Sequence, residues 1–348
     1  MITIDGSYGE GGGQILRTSL SLSVILNKPV RIINIRAKRP NPGLKPQHLT
    51  CIKALSKISN AHVEGDKLNS QNLIFIPKEC KGGNFVFDVA AEAPSAGAVS
   101  LVAQALFLPL CRATVASRVI IKGGTHVAWS PPYHYLEEIF IHFMEIIGIR
   151  ARTNIKKWGW YPKGQGEIEI QIQPSNKFSP LNLTQRGTLK KLKIFSVVSN
   201  LPFSIAKRQA NRGEEILRKE GFSPDIEIKE ITSKGRGTFF FLRTDFENSR
   251  AGFSNLGEIG KRAEKVAEEA VEEFLQYYKS NMCLDKYIAD QLIPYIALAH
   301  GESIITTCYL SEHTLTNIWV VEKFLPIRFR IEGKKGKPAK ISVKGIGF

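Results

Sequence analysis

Three stretches of the chain follow the same order of strands and helices, and this repetition limits the fold more than any single motif does. In the first, a strand at residues 2–4 runs into a glycine-rich loop and an apolar helix at 15–26. A strand at 30–37, a helix at 47–61 and two strands near 63–64 and 73–77 follow. The second stretch reads as a strand at 85–89, an apolar helix at 98–111, a strand at 119–122, a helix at 133–147 and strands near 150–154 and 166–173. The third has a helix at 287–299, a strand at 303–308, a helix from 313 and closing strands at 327–332 and 339–343. The helix assignments rest on apolar residues at 3.6-residue spacing and the strand assignments on alternation. The second helices begin near Gln47, Tyr133 and His313, so they are 86 and then 180 residues apart. Self-similarity of this kind marks a repeat architecture, and the longer gap leaves room for an inserted domain. The expected class is α+β. Three repeated sheet-plus-two-helix units form a large domain at 1–185 and 280–348, and a smaller inserted domain occupies 186–279.

The inserted segment opens on a strand at 189–199, where Leu192, Ile194, Ser196 and Val198 alternate. Ser204 is placed to cap a helix that ends near Gly221. Residues 225–232 and 237–244 read as a hairpin around Ser233-Lys234-Gly235-Arg236, and a long Ala-, Glu- and Lys-rich helix covers 256–280. The order β-α-β-β-α holds no nucleophile-and-base pair, so it reads as a structural or substrate-side module.

The chain is 348 residues long and 43% hydrophobic, enough for a sizeable core, and its net charge of +16 points to an anionic partner. Cys51, Cys80, Cys111, Cys283 and Cys308 lie far apart with no CxxC pair, which argues against a zinc site or a disulfide framework. A reducing compartment, the cytoplasm, is expected. No basic-then-apolar leader and no apolar run of about 18 residues is present, so neither a signal peptide nor a membrane partner is expected.

Chemistry concentrates at two places. Gly9-Glu10-Gly11-Gly12-Gly13-Gln14 carries four glycines in five positions and opens a helix, a phosphate-cradle arrangement. It is neither a Walker A loop nor the dinucleotide fingerprint. Close helix packing is the plain alternative for such a loop. Glu10 is a candidate metal carboxylate. The second place is the helix from Glu312, with Ser311 as its N-cap and Pro326 as its stop. His313, Thr316 and Asn317 share one face of it. Unpaired N–H groups in a first turn disfavour imidazolium and attract phosphate, so His313 can act as a neutral nucleophile toward phosphorus. Taken alone, a solvated helix-end histidine is the plain alternative.

Together, Gly9-Glu10-Gly11-Gly12-Gly13-Gln14-Ile15-Leu16-Arg17, Arg36-Ala37-Lys38-Arg39 with Pro42-Gly43-Leu44, Tyr287-Ile288-Ala289-Asp290-Gln291 and His313-Thr314-Leu315-Thr316-Asn317 resemble the RNA 3′-terminal phosphate cyclases. The resemblance runs from the first residues nearly to the C-terminus and is weakest in the inserted segment and after Ile331. It implies an ATP-dependent reaction through a covalent histidine–AMP and an RNA-adenylate, ending in a 2′,3′-cyclic phosphate, with RNA bearing a 3′-phosphate as partner. By the resemblance His313 is the adenylylated nucleophile. Arg17, Arg36, Arg39 and Gln47 surround the phosphates and the RNA end. Gln14, Gln104, Pro131, Phe253, Tyr287, Asp290 and Gln291 bind ATP, with Pro131 and Tyr287 sandwiching the adenine. Glu10 holds a divalent cation, Mg or Mn. His126 and Trp129 depart from the family pattern. His48, His62, His134, His142 and His300 lack motif context and read as structural. Two other classes compete: a non-catalytic cyclase-like protein of ribosomal RNA processing, and an enolpyruvyl transferase built of similar units. His313 with the intact Gly9–Arg17 loop favours the enzyme over both.

Overall fold

In the computed structural model, which describes residues 1–348, the first sheet consists of β1 (Ile2–Asp5), β2 (Val30–Ile33), β3 (His62–Glu64) and β4 (Leu73–Ile76) in the order β1-β2-β4-β3. β1 and β2 run parallel, and the other two pairings are antiparallel. A parallel pair needs a crossover, here supplied by α1 (Gly13–Leu26); α2 (Pro46–Ser59) joins β2 to β3. β2 is shorter than the strand expected at 30–37, because Asn34 and Arg36 take positive φ (52° and 55°) and turn the chain out of the sheet.

The second sheet repeats this connectivity. β5 (Asn84–Asp88), β6 (Ser117–Gly123), β7 (Ala151–Lys157) and β8 (Gly166–Ile172) lie in the order β5-β6-β8-β7, with β5 parallel to β6 across α3 (Val99–Leu110). The helix from Tyr133 is broken into α4 (Tyr133–Tyr135), a π-helical turn (Leu136–Phe140) and α5 (Ile141–Ile147).

After the two-residue strand β9 (Asn182–Leu183) come β10 (Leu189–Ser199), α6 (Phe203–Lys219), β11 (Asp225–Ile231), β12 (Gly237–Phe246), β13 (Arg250–Leu256) and α7 (Ala263–Ser280). This order is β-α-β-β-β-α and corrects the expected β-α-β-β-α. The expected hairpin is also absent. β11 and β12 lie on opposite edges of β10, parallel and antiparallel to it, and the hairpin is β12–β13. The Ser233–Arg236 turn therefore crosses the end of β10 instead of joining neighbours. Leu192, Ile194, Phe240, Leu242, Val266, Val271 and Phe274 belong to a 15-residue core between this sheet and its helices, separate from the 74-residue core of the rest of the chain.

The chain then returns through α8 (Ile288–Leu298), β14 (Glu302–Thr307), α9 (Glu312–Phe324), β15 (Arg330–Gly333) and β16 (Ala339–Lys344). The last sheet has the order β15-β16-β14-β9, with β14 parallel to β9 and the other pairs antiparallel. α1 packs against α2, α3 and α9 at once. That central position explains why it is apolar or small on nearly every face. Ser21 Oγ reaches Ala105 O at 2.7 Å and Thr18 Oγ1 reaches Asn317 Oδ1 at 2.8 Å, so its polar side chains join it to α3 and α9. The N-terminal ends of α1, α2 and α9 meet on one side of this helical layer, around Gly13, His48 and His313. No helix is long and apolar enough to cross a membrane.

Candidate active site

Ser311 starts α9 by accepting the Thr314 N–H at 3.0 Å, which puts His313 in the first turn. Gln14, at the start of α1, fixes the ring. Its amide nitrogen donates to His313 O at 2.8 Å and to Asp290 Oδ2 at 3.3 Å. Both amide protons are then used, so Gln14 Oε1 can only accept, and it faces His313 Nδ1. The imidazole therefore carries a proton on Nδ1, and in the neutral ring the Nε2 lone pair is free. Nε2 lies 3.3 Å from Glu10 Oε2, and about half the side chain is exposed (49%). Burial, followed by Arg17 and Arg39, lowers the His313 pKa; Glu10 opposes the shift. The net shift favours the neutral ring, with Nε2 facing Glu10 and solvent.

Glu10 is held by a loop that packs on α9. Gly9 and Gly11 have φ of +55° and +58°, a backbone that side chains resist. A Cβ at Gly9 would lie 2.6 Å from Thr316 Oγ1, and one at Gly13 would lie 2.2 Å from His48 Nε2. Tyr8 stacks on Trp319 with centroids 4.0 Å apart and rings within 5° of parallel. These glycines thus also admit the protein's own side chains, a role that spacing in the sequence does not reveal.

Cations cluster opposite the loop. Arg39 Nη2 reaches Glu10 Oε2 at 3.2 Å. Arg36, itself at positive φ, donates to Asn41 O at 2.8 Å and Gly43 O at 3.1 Å. Burial and then Arg39 lower the Arg36 pKa, and burial lowers that of Arg17. His48 is buried beside them, accepting the Lys45 N–H on Nδ1 at 3.0 Å. Burial, Arg17, Arg36 and Lys45 push its pKa down to about 3. Positive groups that depress one another's protonation, with Glu10 and Asp290 offsetting them in part, make a site suited to polyanions.

A cavity of about 70 Å³ is lined by Gln14, Arg17, Thr18, Gln104, Asp290 and Gln291, among others. Gln104 Nε2 donates to Gln291 Oε1 at 2.6 Å, and Gln291 Nε2 to Tyr287 O at 2.7 Å. Burial drives the Asp290 pKa up to about 7, against the pull of Arg17. Asn317 donates to Asp290 O at 2.7 Å and ties α9 to α8. Tyr287 is 40% exposed and ready to present a face, while Pro131 is anchored by the Ser100 hydroxyl at 2.6 Å. Gln47 accepts the Ala98 N–H at 3.1 Å and so fastens the start of α3 to α2.

Most of the residues singled out in the sequence thus gather at one side of the helical layer. Phe253 does not join them: its ring packs on Phe274 and Tyr277 in the smaller core. His48, read as structural, is buried, caps its own helix and also adjoins Gly13 and Arg17. One residue was missed. Asp285 caps α8 through the Tyr287 and Ile288 N–H groups and also accepts the Gly252 N–H from β13. An Asp three residues before a helical run was the available signal.

This arrangement joins a held imidazole, a carboxylate and a cluster of arginines, the equipment of an enzyme acting on phosphorus. The sequence model of the RNA 3′-terminal phosphate cyclase family matches residues 8–331. A protein named RNA 3′-terminal phosphate cyclase from Pyrococcus abyssi is 43% identical over 343 residues, 99% of this chain and 98% of that one. Proteins of the same name from Gloeothece citriformis (42% identical, 93% of each chain) and Methanopyrus kandleri (40%, 100% of this chain and 99% of that one) match as well. The chain belongs to the RNA 3′-terminal phosphate cyclase family.

Proposed function

We propose that the chain converts an RNA 3′-terminal phosphate to a 2′,3′-cyclic phosphodiester with ATP as co-substrate. His313 Nε2 attacks the α-phosphorus of ATP; an N–P bond forms, the Pα–O–Pβ bond breaks and pyrophosphate leaves. An oxygen of the RNA 3′-phosphate then attacks the same phosphorus, freeing the histidine and making an RNA-adenylate. Last, the neighbouring 2′-OH attacks the 3′-phosphorus, loses its proton and expels AMP. That hydroxyl is already adjacent to the phosphorus, so proximity lowers the last barrier.

The observation that carries this reading is the state of His313. Gln14 holds Nδ1 as a donor and leaves Nε2 open beside Glu10. Arg17, Arg36 and Arg39 offset phosphate charge, Gln47 orders the neighbouring helix start, and Gln14, Gln104, Asp290 and Gln291 surround the nucleoside. Pro131 and Tyr287 hold the adenine between them. No cluster of three or more metal-ligating side chains exists, so a cation held by Glu10 would take its other ligands from water and substrate phosphates. That coordination habit fits Mg or Mn, and such a cation would neutralise phosphate charge. We read the three sheets of shared connectivity as copies of one unit making up a catalytic domain at 1–185 and 280–348, with 186–279 inserted into the third. The reaction is placed in the cytoplasm. The intact His313–Gln14 pair argues against a non-catalytic relative.

Incubation with ATP radiolabelled on its α-phosphate tests the reading. An acid-labile, alkali-stable label on the protein is expected, lost in His313→Ala. A wild-type protein that takes up no label, or an alanine variant that still does, would overturn it.

A further inference from the structure

Three loops far apart in sequence form one surface beside Pro131. The segment after β6 is paired to the segment after β7 through a His126–Trp160 bridge and the Thr125 N–H to Gly159 O at 2.9 Å. The β11–β12 turn joins them through a Trp158–Ser233 bridge and the Lys163 ammonium on Lys234 O at 3.2 Å. A Cβ at Gly237 would lie 2.2 Å from the Trp160 ring, so this turn sits directly on the indole. The three loops, residues 126–132, 158–165 and 233–237, contain Lys163, Lys234 and Arg236, all exposed, and no carboxylate.

Two aromatic rings stand out from this surface. Trp129 is fully exposed and Tyr161 is 77% exposed, whereas Trp160, bridged to His126, is 3% exposed. Trp129 also has φ of +63°, a conformation that costs a bulky residue stability. The fold thus holds a large apolar ring in water on a strained backbone. Exposed rings among unpaired cations are the footprint of single-stranded nucleic acid, whose bases stack on aromatics while phosphates meet lysine and arginine.

We propose that this three-loop surface, centred on Trp129 and Tyr161, binds the single-stranded body of the RNA, the nucleotides 5′ of the end that reacts. It rests on the cyclase reading for the identity of the RNA. Trp129 leads directly into Pro131, whose carbonyl is bonded to the start of α3, and Gly164 packs on Ala96 just before that helix. The surface therefore continues from the edge of the nucleotide site. It also gives the inserted segment a function, because Lys234 and Arg236 belong to it.

The test compares two RNAs bearing a 3′-phosphate, a dinucleotide and a twelve-nucleotide single strand, with wild type, Trp129→Asn, Tyr161→Ala and the double variant. Asparagine tolerates the left-handed backbone, so Trp129→Asn keeps the loop. Each variant should bind the long RNA about tenfold or more weakly, with the dinucleotide KM and ATP-only adenylation unchanged. Trp129→Phe should restore most of the affinity. Removing Lys163, Lys234 and Arg236 together should flatten the salt dependence of long-RNA binding by about 2 in log–log slope. Wild-type affinity for the long RNA in the double variant overturns the proposal. So does an equal loss on both RNAs, or a loss of adenylation, because either would assign the loops to the nucleotide site. Failure of the cyclase reading would show separately, in the wild type.

Discussion

Two helices in this molecule begin with a histidine in the same place, and only one of them serves as a nucleophile in the reading given above. His313 is the second residue of α9 and His134 the second residue of α4. Both lie in a first turn, where backbone N–H groups project. The surroundings differ. The His134 ring packs among Trp158, Phe195 and Phe239, and its Nδ1 is 2.9 Å from His126 Nε2. Burial, with Lys229 next, pushes its pKa down to about 3. His313 stands half in solvent, its Nδ1 on Gln14 and its Nε2 beside a carboxylate. A third case, His48 in the first turn of α2, uses Nδ1 to accept the N–H of its own N-cap residue. The helix end is therefore common to all three. The partner on Nδ1 and the openness of Nε2 decide which one can attack phosphorus.

The largest effect should come from exchanging these roles. His313→Ala should lower the rate of protein–AMP formation by about 10⁴-fold or more, as loss of a nucleophile does. His134→Ala should leave that rate within a few-fold while lowering stability by about 1–3 kcal/mol, through a lost hydrogen bond and lost packing. Rapid-quench labelling and thermal melts would measure both. Equal loss of adenylation in the two variants would break the comparison.

The next effect tests the tautomer. Gln14→Leu removes the acceptor at Nδ1 and lets the proton move to Nε2. Adenylation should slow by about 10²-fold or more, in line with other cases of a displaced catalytic imidazole. ATP binding, measured by equilibrium dialysis, should weaken far less. If the two losses are similar, Gln14 acts on ATP alone and does not also position the imidazole.

Acid separates the histidines by stability. A base whose folded pKa lies below its unfolded value binds fewer protons folded than unfolded, so stability is lost as pH is lowered through that interval. For His134 and His48 the interval runs from an ordinary imidazole value of about 6.5 down to about 3. Each should contribute a slope of about 1.4 kcal/mol per pH unit there, seen as denaturation midpoints that fall with pH and level off near 3. His134→Phe should reduce that slope by about one proton. The His313 pKa is also lowered, so the acid limb of adenylation should lie below the range of a free imidazole.

The same contrast explains what the sequence could and could not disclose. Strands and helices of the large body were legible because alternation and helical spacing match the faces that are buried. Turn composition at Ser233–Arg236 suggested a hairpin, but pairing is a tertiary choice, and β10 offered two open edges. β13, Arg250–Leu256, was missed because glycine, serine and asparagine make a poor strand in isolation. It forms because β12 pairs with it and Gly252 fits closely against Ile139. In the site, His313 was legible from its helix end together with the resemblance. The place of His48 beside it was not, since Arg17 and Gly13 lie thirty or more positions away. Phe253 was carried over by resemblance alone, and burial against Phe274 removes it from the cavity.

The smallest effect concerns the loop that α9 has and α4 lacks. Tyr8 on Trp319 and Gly9 on Thr316 press the Glu10 loop against the first two turns of α9. Nothing bonds Glu10 to α9 except its contact with His313, so the ring stack does the holding. An aromatic pair contributes about 0.5–1.5 kcal/mol beyond its buried area. Trp319→Ala should therefore raise the KM for ATP by about 2- to 12-fold, since 1.4 kcal/mol is tenfold. The maximal rate of adenylation should change less, because His313 keeps Gln14. Trp319→Phe should recover most of the loss. A drop in maximal rate with KM unchanged would mean that the stack positions the histidine itself, and the helix ends would then differ in rigidity as well as in partners.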